Sequence, residues 1–571
     1  MNNIPLTSPA VPSASPSLLP SWGILLLAWV VSLLASLFLL VPNSDDIFYF
    51  GPGLGLLHKG ALAIPMAETN VYIFSLFGTY SFLQGLFLFL TNLLGVPVNF
   101  FTYRLFQAFL VIGSLTLALQ CLRLAHPDDT EGNANRRALF LGILAFTPFS
   151  MSLLPVRPEY LGFFFLFGSL LVHQRHLGRE SPGWSHLALT GILFGLCAIS
   201  HPVFALPAGV WSLIAAWQLW QRWPGSLLLP LFLLASALLP LLALLAFYWS
   251  HYPDSLAEFQ THGQELTSQN AQARVLLTGF INRVYRIFLM RPPWQARILD
   301  IFFYLPLFVL LPLAVAVGWR QDKQTSLAST PLAKTLRPFQ WVIWLVIPLI
   351  LVLMYDMRNF DGLIAFYAAW LLAHSNGDRW LLGLRTRITA GKRRVLFWIL
   401  CLFIVIWPVT HALKFLLNPD SYMDPFRFRN LVASLPNEIT HLLIENPEGA
   451  PLFLNELQQT IVMGKATPRK AYWIFPQLGS LTSQTTATWM RTFLTGIQAD
   501  PTRGQVGWYV NQRHLRLDKA TGKGCIRLPN AGFDPQLKKT GFEIAIQVVR
   551  TVQEDRKNIF LITSDFALGC P

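Results

Sequence analysis

"VYIFSLFGTYSFLQGLFLFLTNLL", residues 71–94, is long and apolar enough to cross a bilayer, and its reading sets the side of the membrane on which every later loop falls. If it lies along the surface instead of spanning, the charges of the chain sort by side. The five loops near 123–137, 173–186, 221–226, 319–338 and 375–394 then hold sixteen Lys and Arg, while the opposite short loops hold only Lys59, Arg104, Arg157 and Arg358. Short loops rich in Lys and Arg stay in the cytoplasm. The surface reading therefore fits the charges, and it predicts a cytoplasmic N-terminus and an exported C-terminus.

The 571-residue chain is 53% hydrophobic and only 13% charged, against about 25% charged in soluble proteins, and its mean hydropathy is +0.46. Spanning the hydrocarbon takes roughly 20 apolar residues. Eleven stretches qualify in part or in full: 22–41, 104–122, 138–154, 159–172, 186–200, 203–220, 226–247, 298–318, 339–355, 362–374 and 395–413. The fold class this predicts is a polytopic α-helical membrane protein of about 11 transmembrane helices, with interfacial helices in the first exported loop and a C-terminal exported α/β domain. The net charge of +14 is spread over loops and tail and forms no stripe of the kind a nucleic-acid backbone needs.

Residues 1–21 read as a flexible tail, residues 22–413 as the transmembrane domain and residues 414–571 as a separate exported domain. The tail lacks a basic n-region, and no small-residue cleavage site follows the first apolar run, so that run reads as an uncleaved anchor. Two long exported loops interrupt the helices, at 43–103 and 248–297. The first mixes aromatic residues with breakers and suits helices lying in the headgroup layer. In the final domain "APLFLNE", "QVGWYVNQ" and "KNIFLITSD" read as strands and "FEIAIQVVRTVQED" as a helix. Cys121, Cys197 and Cys401 fall in apolar runs, which leaves Cys525 and Cys570 as the plausible disulfide of an oxidising compartment.

The first charges of the chain are Asp45 and Asp46, in "NSDDIFYF". A carboxylate at mid-bilayer costs ~2.5–3.5 kcal/mol or more, so the pair belongs at the surface or in a polar cavity. As a plain helix start, Ser44 or Asp45 would accept backbone N–H bonds. "PVRPEY" adds Arg157 and Glu159 at the same face, where the bland reading is a snorkelling Arg with its partner. "SHPVF" adds His201, and "YDMRNFDG" adds Asp356, Arg358 and Asp361. His58 and Lys59 follow in the first loop, and Arg283, Arg286 and Arg291 lie in the second.

An acidic pair after the first helix, an amphipathic first loop, an acid in the second exported loop, an Arg-bearing long loop and a terminal exported domain together resemble the GT-C class of integral membrane glycosyltransferases. The likeness is to bacterial relatives of the protein O-mannosyltransferases and the aminoarabinose transferase of lipid A. It covers residues 22 to about 413 in layout and is carried residue by residue by "NSDDIFYF", "RPEYLGFFF", "SHPVFALPAGVW" and "MRNFDGLIAFY". Two departures stand out: "VYIFSLFGTY" replaces the proline-rich segment of the first loop, and "NFDG" replaces the prolines after the Arg of the tenth-helix motif.

The resemblance implies an inverting transfer of a sugar from a polyprenyl-phosphate donor on the exported face of a bacterial cytoplasmic membrane. Asp45 or Asp46 would be the general base and Glu159 would orient the acceptor. Arg157, Arg283, Arg286, Arg291 and Arg358 would bind the departing phosphate, Arg being suited to it by its two-pronged, permanent charge. His58, Lys59 and His201 would complete the polar cavity. No cofactor is required by the pattern; a divalent metal, Mg or Mn, is a possibility without a clear ligand set. The acceptor would be a lipid, a glycan or a protein. A polysaccharide polymerase or ligase is the enzymatic alternative and a flippase the transport one, although no internal repeat of the kind transporters carry is present.

Overall fold

The computed structural model describes residues 44–66, 69–72, 74, 78–98, 100–125, 158–181, 183–260, 370, 435–445, 470–474, 486–528, 542–554 and 558–570. The apolar stretches 22–41, 138–154, 298–318, 339–355 and 395–413, the strand expected at "APLFLNE", and Arg157, Arg283, Arg286, Arg291 and Arg358 lie outside these residues.

The stretch 71–94 does not form one long helix. A hairpin of β1 (Ile64–Met66) and β2 (Thr69–Val71) ends inside it, and helix α2 (Thr79–Leu93) begins after Gly78, whose φ of 63° is a left-handed conformation that breaks the run. At 15 residues, α2 is short of a span. It crosses the N-terminal turns of α3 (Phe100–Ala125) instead of running beside it. Tyr80 donates to Gln107 at 2.9 Å, Gln84 Nε2 donates to the Tyr103 carbonyl at 3.2 Å, and the Phe87 ring meets Phe106 at 5.4 Å. The opposite face of α2 exposes Phe82, Leu86, Phe89, Leu90 and Leu93. Helix α1 (Ser44–Lys59) packs on it so closely that a Cβ on Gly53 would lie 2.9 Å from the Ser81 carbonyl.

The long helices are α3, α4 (Glu159–Leu177), α5 (Trp184–Ala198), α6 (Pro202–Arg222) and α7 (Leu228–Ser250). Their side-chain bonds fix their directions. Ser114 Oγ donates to the Tyr160 carbonyl at 2.8 Å and Cys121 Sγ to that of Phe167 at 3.3 Å, the same step along each chain, so α3 and α4 are parallel. Phe163 against Phe204 (5.1 Å) and His173 against Gln218 (2.7 Å) make α4 and α6 parallel. Cys197 near Gly162 and His186 near His176 make α4 and α5 antiparallel. The stretch 362–374 contributes helical Trp370, whose buried indole donates to the Ala118 carbonyl at 3.1 Å and meets the Phe167 ring at a tilt and the Trp211 ring edge-on.

Helices α3 and α7 are long and apolar enough to cross a membrane, and only 22% of the apolar stretch of α7 is buried by protein. Leu231, Leu238, Leu239, Leu242 and Leu245 are each more than half exposed. Such a face suits lipid and not water.

The tail is a mixed α and β domain, as expected from the sequence. Among the described residues its strands, β3 (Ile439–Glu445), β4 (Lys470–Ile474), β5 (Gln505–Asn511), β6 (Leu515–Leu517), β7 (Lys523–Leu528), β8 (Phe542–Glu554) and β9 (Asn558–Leu568), are ordered β4-β3-β5-β9-β8-β7-β6. β4, β3 and β5 are parallel and the rest antiparallel. The expected strands at "QVGWYVNQ" and "KNIFLITSD" are β5 and β9. The helix expected at "FEIAIQVVRTVQED" is instead strand β8. Its Phe542, Ile544 and Ile546 are buried in alternation with Glu543, Ala545 and Gln547, which is the period of two of a strand, and β-branched Ile and Val favour it. Helix α8 (Thr486–Ala499) covers one sheet face through Met490, Leu494 and Ile497, and Ile64 of the β1–β2 hairpin is buried in the same cluster.

Cys525 on β7 is bonded to Cys570, which follows β9, closing a loop of 45 residues. A cross-link of this span contributes about 4 kcal/mol. The Cys525→Ser, Cys570→Ser variant is expected to unfold earlier in denaturant by that amount, read from tail-domain protease cleavage of the full chain. In the β6–β7 turn, Thr521 Oγ1 (2.6 Å) and the Ala520 amide (2.9 Å) donate to Asp518, and these bonds hold its carboxyl below the usual range. The turn is therefore held fully above the unfolded value of about 4 and loosens as pH falls through the lower folded value. Amide exchange at Ala520, once corrected for intrinsic rate, is expected to quicken on acidification, and to lose this pH dependence in Asp518→Asn.

Candidate functional site

One end of the helix bundle, where α4 and α6 begin and α5 and α7 end, gathers polar groups from distant parts of the chain. Glu159 occupies the first turn of α4, where a carboxylate meets the positive end of the helix dipole. It is fully buried, as is its neighbour Tyr160. One turn on, Gly162 has the Phe204 ring directly over its Cα, so that any side chain there would collide with it. The Phe204 amide donates to the His201 carbonyl at 2.9 Å, and His201 is itself buried at the α5–α6 junction. Glu159 and His201 thus sit at the same end, each about one helical turn before the Gly162–Phe204 contact on its own segment.

The first loop docks on this junction. Thr79 Oγ1 donates to the Ile199 carbonyl at 2.7 Å. Next to Thr79, Tyr80 meets the Tyr49 ring edge-on at 5.8 Å, and Ser81 Oγ donates to the Tyr49 carbonyl at 2.6 Å. Tyr49 lies one turn after Asp45 and Asp46, which occupy the first turn of α1. A continuous set of contacts therefore leads from the start of α1 through Tyr49, Tyr80, Thr79 and Ile199 to His201, Gly162 and Glu159. His58 and Lys59 lie in the last turn of α1, exposed and well apart from its first turn. Arg157, Arg283, Arg286, Arg291 and Arg358 are outside the described residues.

Two further buried charges belong to this end. Arg104 is fully buried at the start of α3, its Nε 3.4 Å from the Tyr103 hydroxyl, beside the buried Thr102 and Gln107. Glu258 accepts the Phe74 amide at 2.9 Å, and Tyr248 donates to the Phe74 carbonyl at 2.7 Å, so the last turn of α7 and the segment after it clamp the first loop. A signal for Arg104 existed in the sequence, since it is one of four cations on its side. Glu258 lies in a polar stretch and carried none.

Among the described residues, the one grouping of three metal-type ligands is Cys525, Glu543 and Cys570. There the two sulfurs are bonded to each other and offer no thiolate.

No protein-family model matches the chain, and neither does a curated protein. Among solved structures, ArnT from Cupriavidus metallidurans bound to undecaprenyl phosphate matches with a TM-score of 0.51 at 11% identity, over 95% of this chain and 97% of that one. The apo form of the same protein matches over the same shares at 0.40, and the Archaeoglobus fulgidus oligosaccharyltransferase in complex with Zn and sulfate at 0.40 over 85% of this chain and 67% of that one, both at 11% identity. The first match extends over nearly the whole of both chains, and the chain shares the fold of that structure.

Proposed function

We propose that the chain is a glycosyltransferase that moves a sugar from a polyprenyl-phosphate donor to an acceptor on the exported face of a membrane. The observation that carries this reading is the match, end to end, with a structure that holds undecaprenyl phosphate. It is supported by the gathering of the α1 start, Glu159 and His201 at one end of the bundle.

In the proposed reaction an acceptor hydroxyl or amine attacks the anomeric carbon from the side opposite the phosphate. Asp45 or Asp46 takes the acceptor's proton as the bond forms. The bond from the anomeric carbon to the phosphate oxygen breaks, the configuration inverts, and the lipid phosphate leaves with growing negative charge. Arg side chains stabilise that charge, the candidates being Arg157, Arg283, Arg286, Arg291 and Arg358, with Arg104 added by its burial at the same end. Glu159 orients the acceptor. The apolar outer face of α2 borders the site on the lipid side and suits the passage of a prenyl chain.

The test uses the purified chain in nanodiscs with polyprenyl phosphate carrying a labelled hexose or pentose, and membrane extract as the source of acceptors. Release of free polyprenyl phosphate, with label appearing in a product of inverted anomeric configuration, is the expected result. Movement of intact donor between leaflets without cleavage would favour the flippase reading and reject this one.

A further inference from the structure

The end of the bundle opposite Glu159 carries a second polar cluster. Helix α4 has Glu159 in its first turn and Arg175 and His176 in its last, about 26 Å apart at 1.5 Å per residue, close to the thickness of a hydrocarbon core. His176 is fully buried, yet neither of its ring nitrogens has a hydrogen-bond partner among the described residues. One turn inward, His173 Nε2 pairs with Gln218 Oε1 at 2.7 Å, while His173 Nδ1 and Gln218 Nε2 are also without partners among the described residues. Buried polar atoms are as a rule hydrogen-bonded, so several unmet ones in one place point to a partner that does not come from these residues.

Geometry shows where that partner would sit. Around Gly183, a point at the Cβ position of any other residue lies 3.2 Å from His186 Nδ1, 3.8 Å from Arg179 Nη1 and 3.9 Å from His176 Cε1. Three nitrogen-bearing side chains thus converge on Gly183, closely enough that a side chain there would press on them. Arg179 Nη1 lies 3.4 Å from His186 Nδ1, the rings of His176 and His186 are nearly parallel at 5.9 Å, and Trp223 meets His176 at 5.4 Å. Arg222 stands over Trp223 at 5.9 Å, and Arg175 faces Gln120 from the surface. The carboxylate of this segment, Glu180, is exposed. The cluster is rich in donors and positive charge, so its ligand is an anion.

The surroundings say which anion. Trp184, Trp217 and Trp220 are partly exposed at the same level, and Leu227, Leu228 and Leu231 are more than half exposed beside them. Tryptophan collects at the boundary between headgroups and hydrocarbon, and basic pockets between helix ends at that level hold lipid phosphates. We propose that His176, His186 and Arg179, around Gly183, form a binding site for the phosphate of a membrane phospholipid, in the leaflet opposite the candidate transfer site. The tails lie along the exposed leucines of α7. This site stands independently of the transferase reading.

Native mass spectrometry of the full chain in mild detergent tests it, with phosphatidylglycerol, a diacylglycerol of the same acyl chains, and inorganic phosphate as probes. The wild type is expected to hold phosphatidylglycerol at least tenfold more tightly than diacylglycerol. Gly183→Val, which presses on His186 and Arg179 from an extended backbone position that any residue can adopt, and the surface pair Arg179→Gln, His186→Gln are each expected to weaken it about tenfold with an unchanged gel-filtration profile. Equal retention of the two lipids, or undiminished phosphatidylglycerol binding in both variants, overturns the site. Full displacement of the lipid by millimolar inorganic phosphate overturns its assignment to a lipid.

Discussion

Sugar transfer by the Asp45→Asn, Asp46→Asn double variant falls by about 10²–10⁴-fold, the range that a positioned general base supplies. One of the two single variants is expected to carry most of the loss, since a single general base takes the one proton the acceptor gives up. Asn keeps the size and the helix-start hydrogen bonding of Asp, so a role confined to capping α1 leaves the rate nearly unchanged. Initial rates from labelled donor, with the fold checked by gel filtration, separate the two roles. A double variant as active as the wild type rejects the assignment of the base.

The Gly191→Leu, Gly195→Leu variant fails to assemble the bundle. Both glycines lie on α5 where it meets α7: a Cβ on Gly191 would run into the Leu233 carbonyl and one on Gly195 into that of Ala237. The obstacles are backbone atoms, which cannot rotate away as a side chain can. This is the small-residue pattern, four apart, that lets membrane helices approach closely. Overpacking at one such position costs about 1–3 kcal/mol, and the two together are expected to cost about 5 kcal/mol, a large part of the roughly 5–15 kcal/mol by which folded domains are stable. Thermal aggregation in detergent, compared with Gly209→Ala, whose added Cβ meets nothing within 4 Å, reads the effect. Equal midpoints contradict the close α5–α7 contact.

Much of the membrane part was legible because apolar runs of span length and the sorting of Lys and Arg follow from bilayer physics alone. The runs expected at 104–122, 159–172, 186–200, 203–220 and 226–247 are helices α3 to α7. The surface reading of 71–94 agrees with a 15-residue helix crossing α3 after a left-handed Gly78. The hairpin before it was not legible, since strands of three residues leave no period to detect. In the tail, the ambiguity of "FEIAIQVVRTVQED" came from its length, which suits a helix, set against an alternation that suits a strand. Pairing on both sides with β7 and β9 decides for the strand.

The candidate site was legible only through its charges. Asp45, Asp46, Glu159 and His201 drew attention as polar residues at the edges of apolar runs, and the structure brings the start of α1, Glu159 and His201 to one end of the bundle. The uncharged groups that join them, Thr79, Tyr80, Gln107 and the Gly162–Phe204 contact, have no signature in a single sequence because they act through long-range packing. Glu258 and the cluster around Gly183 belong to the same class: they become visible when burial and hydrogen bonding are known.

The central claim is that the end of the bundle carrying Asp45, Asp46 and Glu159 faces the outside. Labelling with a membrane-impermeant maleimide in intact cells tests it, after Cys121, Cys197 and Cys401 have been replaced by Ala. Lys59→Cys reports the first loop and Trp184→Cys the opposite end, both positions being exposed. The account predicts that position 59 reacts in intact cells and position 184 only after permeabilisation. Reaction at 184 and protection at 59 would place the carboxylates inside, where a lipid-linked sugar is not the expected donor, and would contradict the account.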